Sequence, residues 1–389
     1  MSDREYELIV FGSTGYTGRL VAEYLQREYG DGVNWAMAGR SQDKLEAVRA
    51  EMGLPESVDL VVANSSDPES LKALAASTQA VVTTVGPYQL YGEPLVKACV
   101  EAGTDYVDLS GEPAWMRDMI DQYDAAAKES GARIVHSCGF DSIPFDMGVY
   151  LLQREAKAKR GEPFAKVRGR VRKMEGKFSG GTAASLGQTL VRAKKEPHIL
   201  DWLKDPFSLS GDFSGPVQPT GHKPIEDADL GSWSAPFIMA AINTKNIHRS
   251  NALMGHAYGE DFVYDEMMFT GPGEKGQQVA NYIASQDAFG DNPPKPGEGP
   301  TKEERENGFY DIGFYGGEGD DTMVAVVTGD KDPGYGSTSK MIAEAALCLT
   351  RDVDRNTTPG GVYTPAPAMG NALIERLEAH AGLTFKIES

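Results

Sequence analysis

The chain has 389 residues, and 38 Lys and Arg against 57 Asp and Glu give a formal net charge of −19. Hydrophobic residues make up 40% and charged residues 24%, enough to bury a sizeable core and too apolar for a disordered chain. The acidic balance argues against a general nucleic-acid binder, and at roughly 100–200 residues per domain two domains are expected.

The opening MSDREYELIV has no basic region followed by an apolar stretch, so no signal peptide is expected. Short apolar runs then alternate with helical patterns. Strands are expected at 6–11, 33–38, 58–63, 80–85, 106–109 and 132–137, with helices at about 16–29, 41–52, 67–77, 93–102 and 113–130. Nearly continuous apolar strands separated by helices build βαβ units with right-handed crossovers, hence one parallel sheet covered on both faces. The expected class is α/β: a Rossmann-type doubly wound domain over residues 1–145. After Pro144 the pattern changes to a polar helix, the Val/Arg-alternating run 164–175, a helix ending near Lys195, and strands at about 261–270, 309–316 and 322–329. These predict an α+β substrate and dimerisation domain on a mostly antiparallel sheet, 146–335, followed by a helical C-terminal segment, 336–389. The Gly, Pro and Asp-rich stretches 205–235 and 289–308 read as connecting or surface segments. No apolar run exceeds about 12 residues, short of a bilayer span.

The most specific local signal is Gly12-Ser13-Thr14-Gly15-Tyr16-Thr17-Gly18, directly after a strand and opening a helix. Glycines there allow a tight turn and close approach of a pyrophosphate to free helix N–H groups. The end of the second strand selects the nucleotide. In place of an Asp or Glu for a ribose hydroxyl stand Arg40 and Ser41, with Lys44 one turn on, a set suited to a 2′-phosphate. NADP(H) is therefore the expected cofactor. Two further loops lie at strand carboxyl ends: Thr84-Val85-Gly86-Pro87-Tyr88, continuing to Tyr91, and His136-Ser-Cys138-Gly139-Phe140-Asp141-Ser142. Both are candidate walls of a nicotinamide pocket, with Tyr88, Tyr91 and Asp141 the candidate catalytic groups. Ser142 and Asp141 are equally placed to cap the following helix, and His136 to be a hydrogen-bonded core residue.

Other chemistries lack their residues. Tyr123 and Lys128 are five apart, as are Tyr335 and Lys340, so no Tyr-xxx-Lys pair is present, nor a GxSxG or HExxH motif. Cys99, Cys138 and Cys348 are far apart, the six histidines have no ligand spacing, and no metal is expected. Residues 151–196 hold 13 Lys/Arg against 4 Asp/Glu, either a patch for an anionic carrier or membrane surface or a solvated face. The run 233–242, WSAPFIMAAI, suits an apolar substrate channel or ordinary core.

The runs GSTGYTGRLVAEYL, AGRS, TTVGPYQLYGEPLVKACVEAGTDYVDLSGE and HSCGFDSIPFDMG together resemble the saccharopine dehydrogenase-like oxidoreductases. SGGTAAS and GGVYTPAPAMGNALIERLEAHAGLTF are similar to the trans-acting enoyl reductase branch. The resemblance implies NADP(H) held by the residues matching Gly12–Gly18 and Arg40, and a C-terminal segment packing back on the first domain. It also implies reduction of a double bond in an acyl chain. The expectation is an NADPH-dependent cytoplasmic oxidoreductase, a homodimer, acting on a small-molecule or carrier-linked apolar substrate and touching lipid at most peripherally. An imine reductase or a non-catalytic NADPH sensor are the alternatives.

Overall fold

A computed structural model describes residues 4–140, 142–176, 180–286 and 299–388. The first half runs β1 (Tyr6–Phe11), α1 (Tyr16–Tyr29), β2 (Trp35–Gly39), α2 (Gln42–Glu51), β3 (Asp59–Val62), α3 (Pro68–Ser77), β4 (Thr78–Thr83), α4 (Tyr88–Tyr91), α5 (Glu93–Ala102), β5 (Asp105–Val107), α6 (Pro113–Ser130), β6 (Arg133–Val135) and α7 (Ile143–Arg160). There follow β7 (Lys166–Glu175), α8 (Gly180–Lys195), α9 (His198–Lys204), β8 (Ile225–Asp227), β9 (Ser232–Pro236), α10 (Ala240–Leu253), β10 (Val263–Gly271), α11 (Gly273–Ser285), α12 (Lys302–Asn307), β11 (Phe309–Gly316) and β12 (Met323–Gly329). The chain ends in α13 (Thr338–Leu347), β13 (Gly361–Tyr363), α14 (Pro365–Arg376) and β14 (Leu383–Glu388).

Among the described residues the first sheet has seven strands in the order β13-β6-β5-β4-β1-β2-β3, all parallel, which is the doubly wound arrangement with one strand added. Its inner strands are buried along almost their whole length because helices cover both faces, whereas the edge strand β3 is partly exposed throughout. The second sheet runs β14-β12-β11-β7-β10-β9-β8 and is antiparallel except for the β7–β10 pair. Apolar positions expected to extend β4, β5 and β6 instead form edge loops. Thr84 and Val85, Leu109, and His136 and Ser137 lie past the ends of these strands; the first three are partly exposed, and His136 and Ser137 are buried.

The C-terminal segment serves both sheets. β13 adds to the outer edge of β6, α13 packs on α1, β4 and β5, and β14 pairs with β12 of the second sheet. The α1–α13 contact turns on Glu344, which is fully buried. Its Oε1 accepts from the hydroxyls of Tyr24 (2.6 Å) and Tyr29 (2.7 Å), and its Oε2 from Arg376 Nη1 (3.0 Å). Removing this carboxylate leaves Tyr24 with the His380 oxygen (3.2 Å) and Arg376 with Asp352 (2.6 Å), but takes the acceptor from three bonds at once. Glu344→Ala should therefore lower the unfolding free energy by about 1–3 kcal/mol, measured by chemical denaturation.

Candidate functional site

The order of the first sheet reverses between β1 and β4, and open α/β sheets bind ligands in the crevice at that point. The glycine loop fills it. Gly12 has φ +94°, and a Cβ there would stand 2.7 Å from Val85 Cγ2; one on Gly18 would stand 2.3 Å from the Gly12 carbonyl oxygen. Those two glycines are demanded by the protein's own packing. Gly15 is different: it is exposed, and its nearest obstacle is the Gly12 oxygen at 3.3 Å. The first helical bond of α1 is Arg19 N–H to Gly15, leaving the N–H groups of Tyr16, Thr17 and Gly18 without carbonyl partners among the described residues. An open, cationic helix end with a glycine facing out fits a pyrophosphate.

Beneath the loop, Ser13 is buried and donates to the Ala38 oxygen (3.1 Å), and Thr14 Cγ2 lies 3.6 Å from where a Gly39 Cβ would be. Arg40 and Lys44 follow at the end of β2. Both are exposed, and neither side chain has a hydrogen bond or ion pair among the described residues, as a pair awaiting an anion would be. Ser41 accepts from Lys44 N–H (3.4 Å) and so caps α2. The second loop joins the first: Thr84 N–H donates to the Phe11 oxygen (3.0 Å) and Val85 lies against Gly12. Gly86 is exposed, with a cis bond to Pro87.

Tyr88, expected as a proton donor, sits under this loop. It is 5% exposed; its hydroxyl donates to the Thr83 oxygen (3.2 Å) and accepts from Leu109 N–H (3.1 Å), and its ring stacks on Trp115. That commits the hydroxyl to holding the ends of β4 and β5 together. Tyr91 is 43% exposed and has no hydrogen bond among the described residues. Asp141 lies outside the described residues. Cys138 is fully buried, its N–H bonded to the Asp108 oxygen (2.7 Å), and burial pushes its thiol well above the ordinary range, so it packs and does not react. Gly139 is wedged between Leu109 and Thr338. The structure thus brings Gly12–Gly18, Arg40, Ser41, Lys44, Thr84–Pro87, Cys138 and Gly139 to one edge of one sheet.

Two buried carboxylates that the sequence reading passed over hold that edge. Asp108 Oδ1 accepts from Ser110 N–H and Ser137 N–H (both 2.9 Å), and its Oδ2 meets the Tyr106 hydroxyl (3.0 Å) and His136 Nδ1 (2.7 Å). Ser137 has φ +61°, a strained conformation for a non-glycine residue, kept by these bonds. Glu112 accepts from Tyr88 N–H (2.8 Å), Gln89 N–H (2.9 Å) and Ser185 Oγ (2.7 Å), and burial raises its carboxyl above the ordinary range. The signal was legible in DLSGEP, two acids between a strand and a Pro-initiated helix. His136 is a buried, hydrogen-bonded histidine as read, but its Nε2 and the nearby Trp115 Nε1 have no partner among the described residues. Trp115 also lines a cleft of about 550 Å³ between α5, α6 and α8.

Ser142 does not cap α7 with its side chain. Its hydroxyl reaches α10, where it meets Asn243 Oδ1 (3.3 Å) and Asn246 Nδ2 (2.5 Å). Asn243 continues to Glu266 Oε1 (2.8 Å), and Tyr264 bonds Glu266 Oε2 (2.8 Å), so a buried polar chain links the loop after β6 to the second sheet. The apolar run 233–242 is mostly core: Phe237, Met239 and Ile242 are buried. Within the basic segment the arginines, and not the lysines, are neutralised among the described residues. All six of its arginines have carboxylate partners, with Arg170 between Asp227 and Asp265 and Arg172 between Asp311 and Glu388. No helix among the described residues is long and apolar enough to cross a membrane, and no cluster of three or more metal-ligand side chains occurs among them.

A doubly wound sheet with an open glycine loop at its switch point and free cations at the end of β2 defines a dinucleotide-binding class of protein, here with a second, mostly antiparallel sheet. Residues 8–135 match the saccharopine dehydrogenase NADP binding domain. A Mycobacterium tuberculosis protein named provisionally as a trans-acting enoyl reductase is 41% identical over 98% of this chain and 97% of its own length. The trans-acting enoyl reductase of Mycobacterium ulcerans is 36% identical over 97% and 96%. The chain belongs to the saccharopine dehydrogenase-like family, and its full-length relatives are named trans-acting enoyl reductases. The fold is similar to that of apo saccharopine dehydrogenase (L-Glu forming) from Saccharomyces cerevisiae, with a TM-score of 0.51 at 14% identity over 98% of this chain and 99% of that one.

Burial pushes the Glu266 carboxyl up to about 8. A raised folded value means that the native state keeps a proton that the unfolded chain releases above its ordinary range. Stability contributed by this group is therefore present at low pH and is lost as pH rises toward 8, at most ~1.4 kcal/mol per unit. Unfolding free energies measured from pH 5 to pH 9 should fall less steeply in Glu266→Gln than in the native protein.

Proposed function

We propose that the protein is an NADPH-dependent oxidoreductase that reduces a carbon–carbon double bond of an apolar, carrier-linked acyl chain. The cofactor half is carried by the glycine loop together with Arg40, an exposed guanidinium with no carboxylate partner where an NAD site would place an acid. The reaction half rests on the full-length kinship with trans-acting enoyl reductases. A saccharopine-type imine reduction is less well supported, because a substrate with several carboxylates wants free cations and the arginines of 151–196 are already paired.

Bound NADPH would supply the hydride. The chain's own residues orient and enclose: free N–H groups at Tyr16–Gly18 take the pyrophosphate, Arg40 and Lys44 the 2′-phosphate, and the partly exposed Thr84–Pro87 line the nicotinamide end, while Cys138 and Gly139 are buried and act only by packing. Tyr91 is the candidate proton donor whose hydroxyl is left without a partner among the described residues. A homodimer on the second sheet and carrier contact through Lys194 and Lys195 belong to the same proposal.

Side-by-side calorimetric titration tests the cofactor half. NADPH should bind far more tightly than NADH, and Arg40→Ala should weaken NADPH about tenfold to a hundredfold while leaving NADH nearly unchanged. Equal affinity for both nucleotides would refute it. Loss of nicotinamide absorbance with an enoyl thioester, and none with a 2-oxo acid plus glutamate, is the outcome expected for the reaction half. Tyr91→Phe should then lower kcat without weakening NADPH binding.

A further inference from the structure

Of the Gly and Pro-rich stretch 289–308, expected as a surface excursion, residues 289–298 lie outside the described residues, and 299–308 lie against the glycine loop. Residues 299–308 include α12, which is closed at its start by a capping box between Thr301 and Glu304. They lie on Tyr16, the first residue of α1. A Cβ on Gly299 would stand 2.6 Å from the Tyr16 ring, so the two touch closely. The Tyr16 hydroxyl donates to the Pro300 oxygen (2.5 Å) and accepts from Arg305 Nη1 (2.5 Å), which also donates to Pro300 (2.8 Å). On the other side the Tyr16 ring meets Tyr335 edge-on, with centroids 4.7 Å apart. Asp332 closes the ring: its N–H donates to the Arg305 oxygen (3.0 Å), and its carboxylate receives the N–H groups of Tyr335 (3.2 Å) and Gly336 (2.6 Å). The strap, the turn before α13 and the glycine loop are thus one connected unit.

Arg305 stands apart within it. It is half-buried, and among the described residues it has no carboxylate within ion-pair distance, whereas the arginines of the basic segment are all paired. Only Nη1 is engaged, so Nε and Nη2 keep three N–H donors without partners among the described residues. The Asp332 carboxylate acts on it electrostatically from beyond ion-pair distance, which leaves the three unbonded donors able to take a further anion. Here it is tethered to the first residue of the helix whose exposed N–H groups already suit a pyrophosphate.

We propose that Arg305, delivered by the 299–308 strap through Tyr16, is a phosphate-binding residue for the dinucleotide, so that cofactor binding fastens the second domain onto the first. The inference rests on the NADPH reading above. Arg40 and Arg305 then grip the nucleotide from two different domains, the first at the ribose phosphate and the second at the pyrophosphate.

The test is NADPH titration of the native protein, Arg305→Ala, Tyr16→Phe and the same-helix control Lys302→Ala, together with amide hydrogen exchange of residues 299–308 with and without NADPH. Arg305→Ala should weaken NADPH about tenfold to a hundredfold, with Tyr16→Phe weakened less and Lys302→Ala matching the native protein. Added NADPH should slow exchange across 299–308 in the native protein, a readout that does not depend on any variant folding. Native-like affinity in a folded Arg305→Ala that still shows NADPH binding overturns this inference alone, as does exchange in 299–308 that NADPH leaves unchanged. A native protein that fails to bind NADPH overturns the cofactor reading and this inference with it.

Discussion

The candidate site depends on buried carboxylates that collect backbone N–H groups at the carboxyl edge of the first sheet. Asp108 takes two N–H groups, a tyrosine hydroxyl and a histidine nitrogen; Glu112 takes two N–H groups and a serine hydroxyl. Loops at strand ends carry donors that strand pairing cannot satisfy, and a buried donor without an acceptor costs about 1–3 kcal/mol. One carboxylate serving several of them spreads its own desolvation cost over many bonds. The consequence is a fixed edge: the backbone of Tyr88 and Gln89, the buried left-handed Ser137 and the buried Cys138 turn are all held by these two residues. Because Ser185 of α8 also binds Glu112, the same carboxylate ties the second half of the chain to the site.

Charge placement follows a related logic. The chain carries −19 overall, and its most basic stretch is spent within the fold, where β7 arginines cross-link neighbouring strands through Asp227, Asp265, Asp311 and Glu388. Formal charge in a segment is therefore a poor guide to the field a ligand meets. Around the glycine loop the situation is reversed: among the described residues Arg40, Lys44 and Arg305 have no carboxylate within ion-pair distance. In an acidic protein such unpaired cations create a local attraction for a polyanion against a repelling background, which favours specificity as well as affinity.

Besides the Ser185–Glu112 bond, the second half of the chain reaches the carboxyl edge of the first sheet by two further polar routes. One is buried, from Ser142 through Asn243 to Glu266 and Tyr264; the other is nearer the surface, from Tyr16 through Arg305 to Asp332. Hydrogen bonds fix direction where apolar contacts do not, so these links set the relative placement of the two sheets more sharply than the shared core does.

Periodicity alone located the parallel sheet, since β1 to β6 and the helices between them carry near-continuous apolar runs and 3.6-residue patterns. The glycine loop and Arg40 were equally legible, because their chemistry is written in adjacent residues. Local sequence could not reveal β13, three residues whose pairing partner lies more than 200 positions earlier, at 133–135. Nor could it tell that the Tyr88 hydroxyl is committed beneath its loop while Tyr91 is open, or that the arginines of β7 face carboxylates from four other strands or their flanking turns. Side-chain type and spacing determine what a segment can form. Burial, pairing and the partner of each charge belong to contacts between distant parts of the chain, and only the tertiary structure decides them.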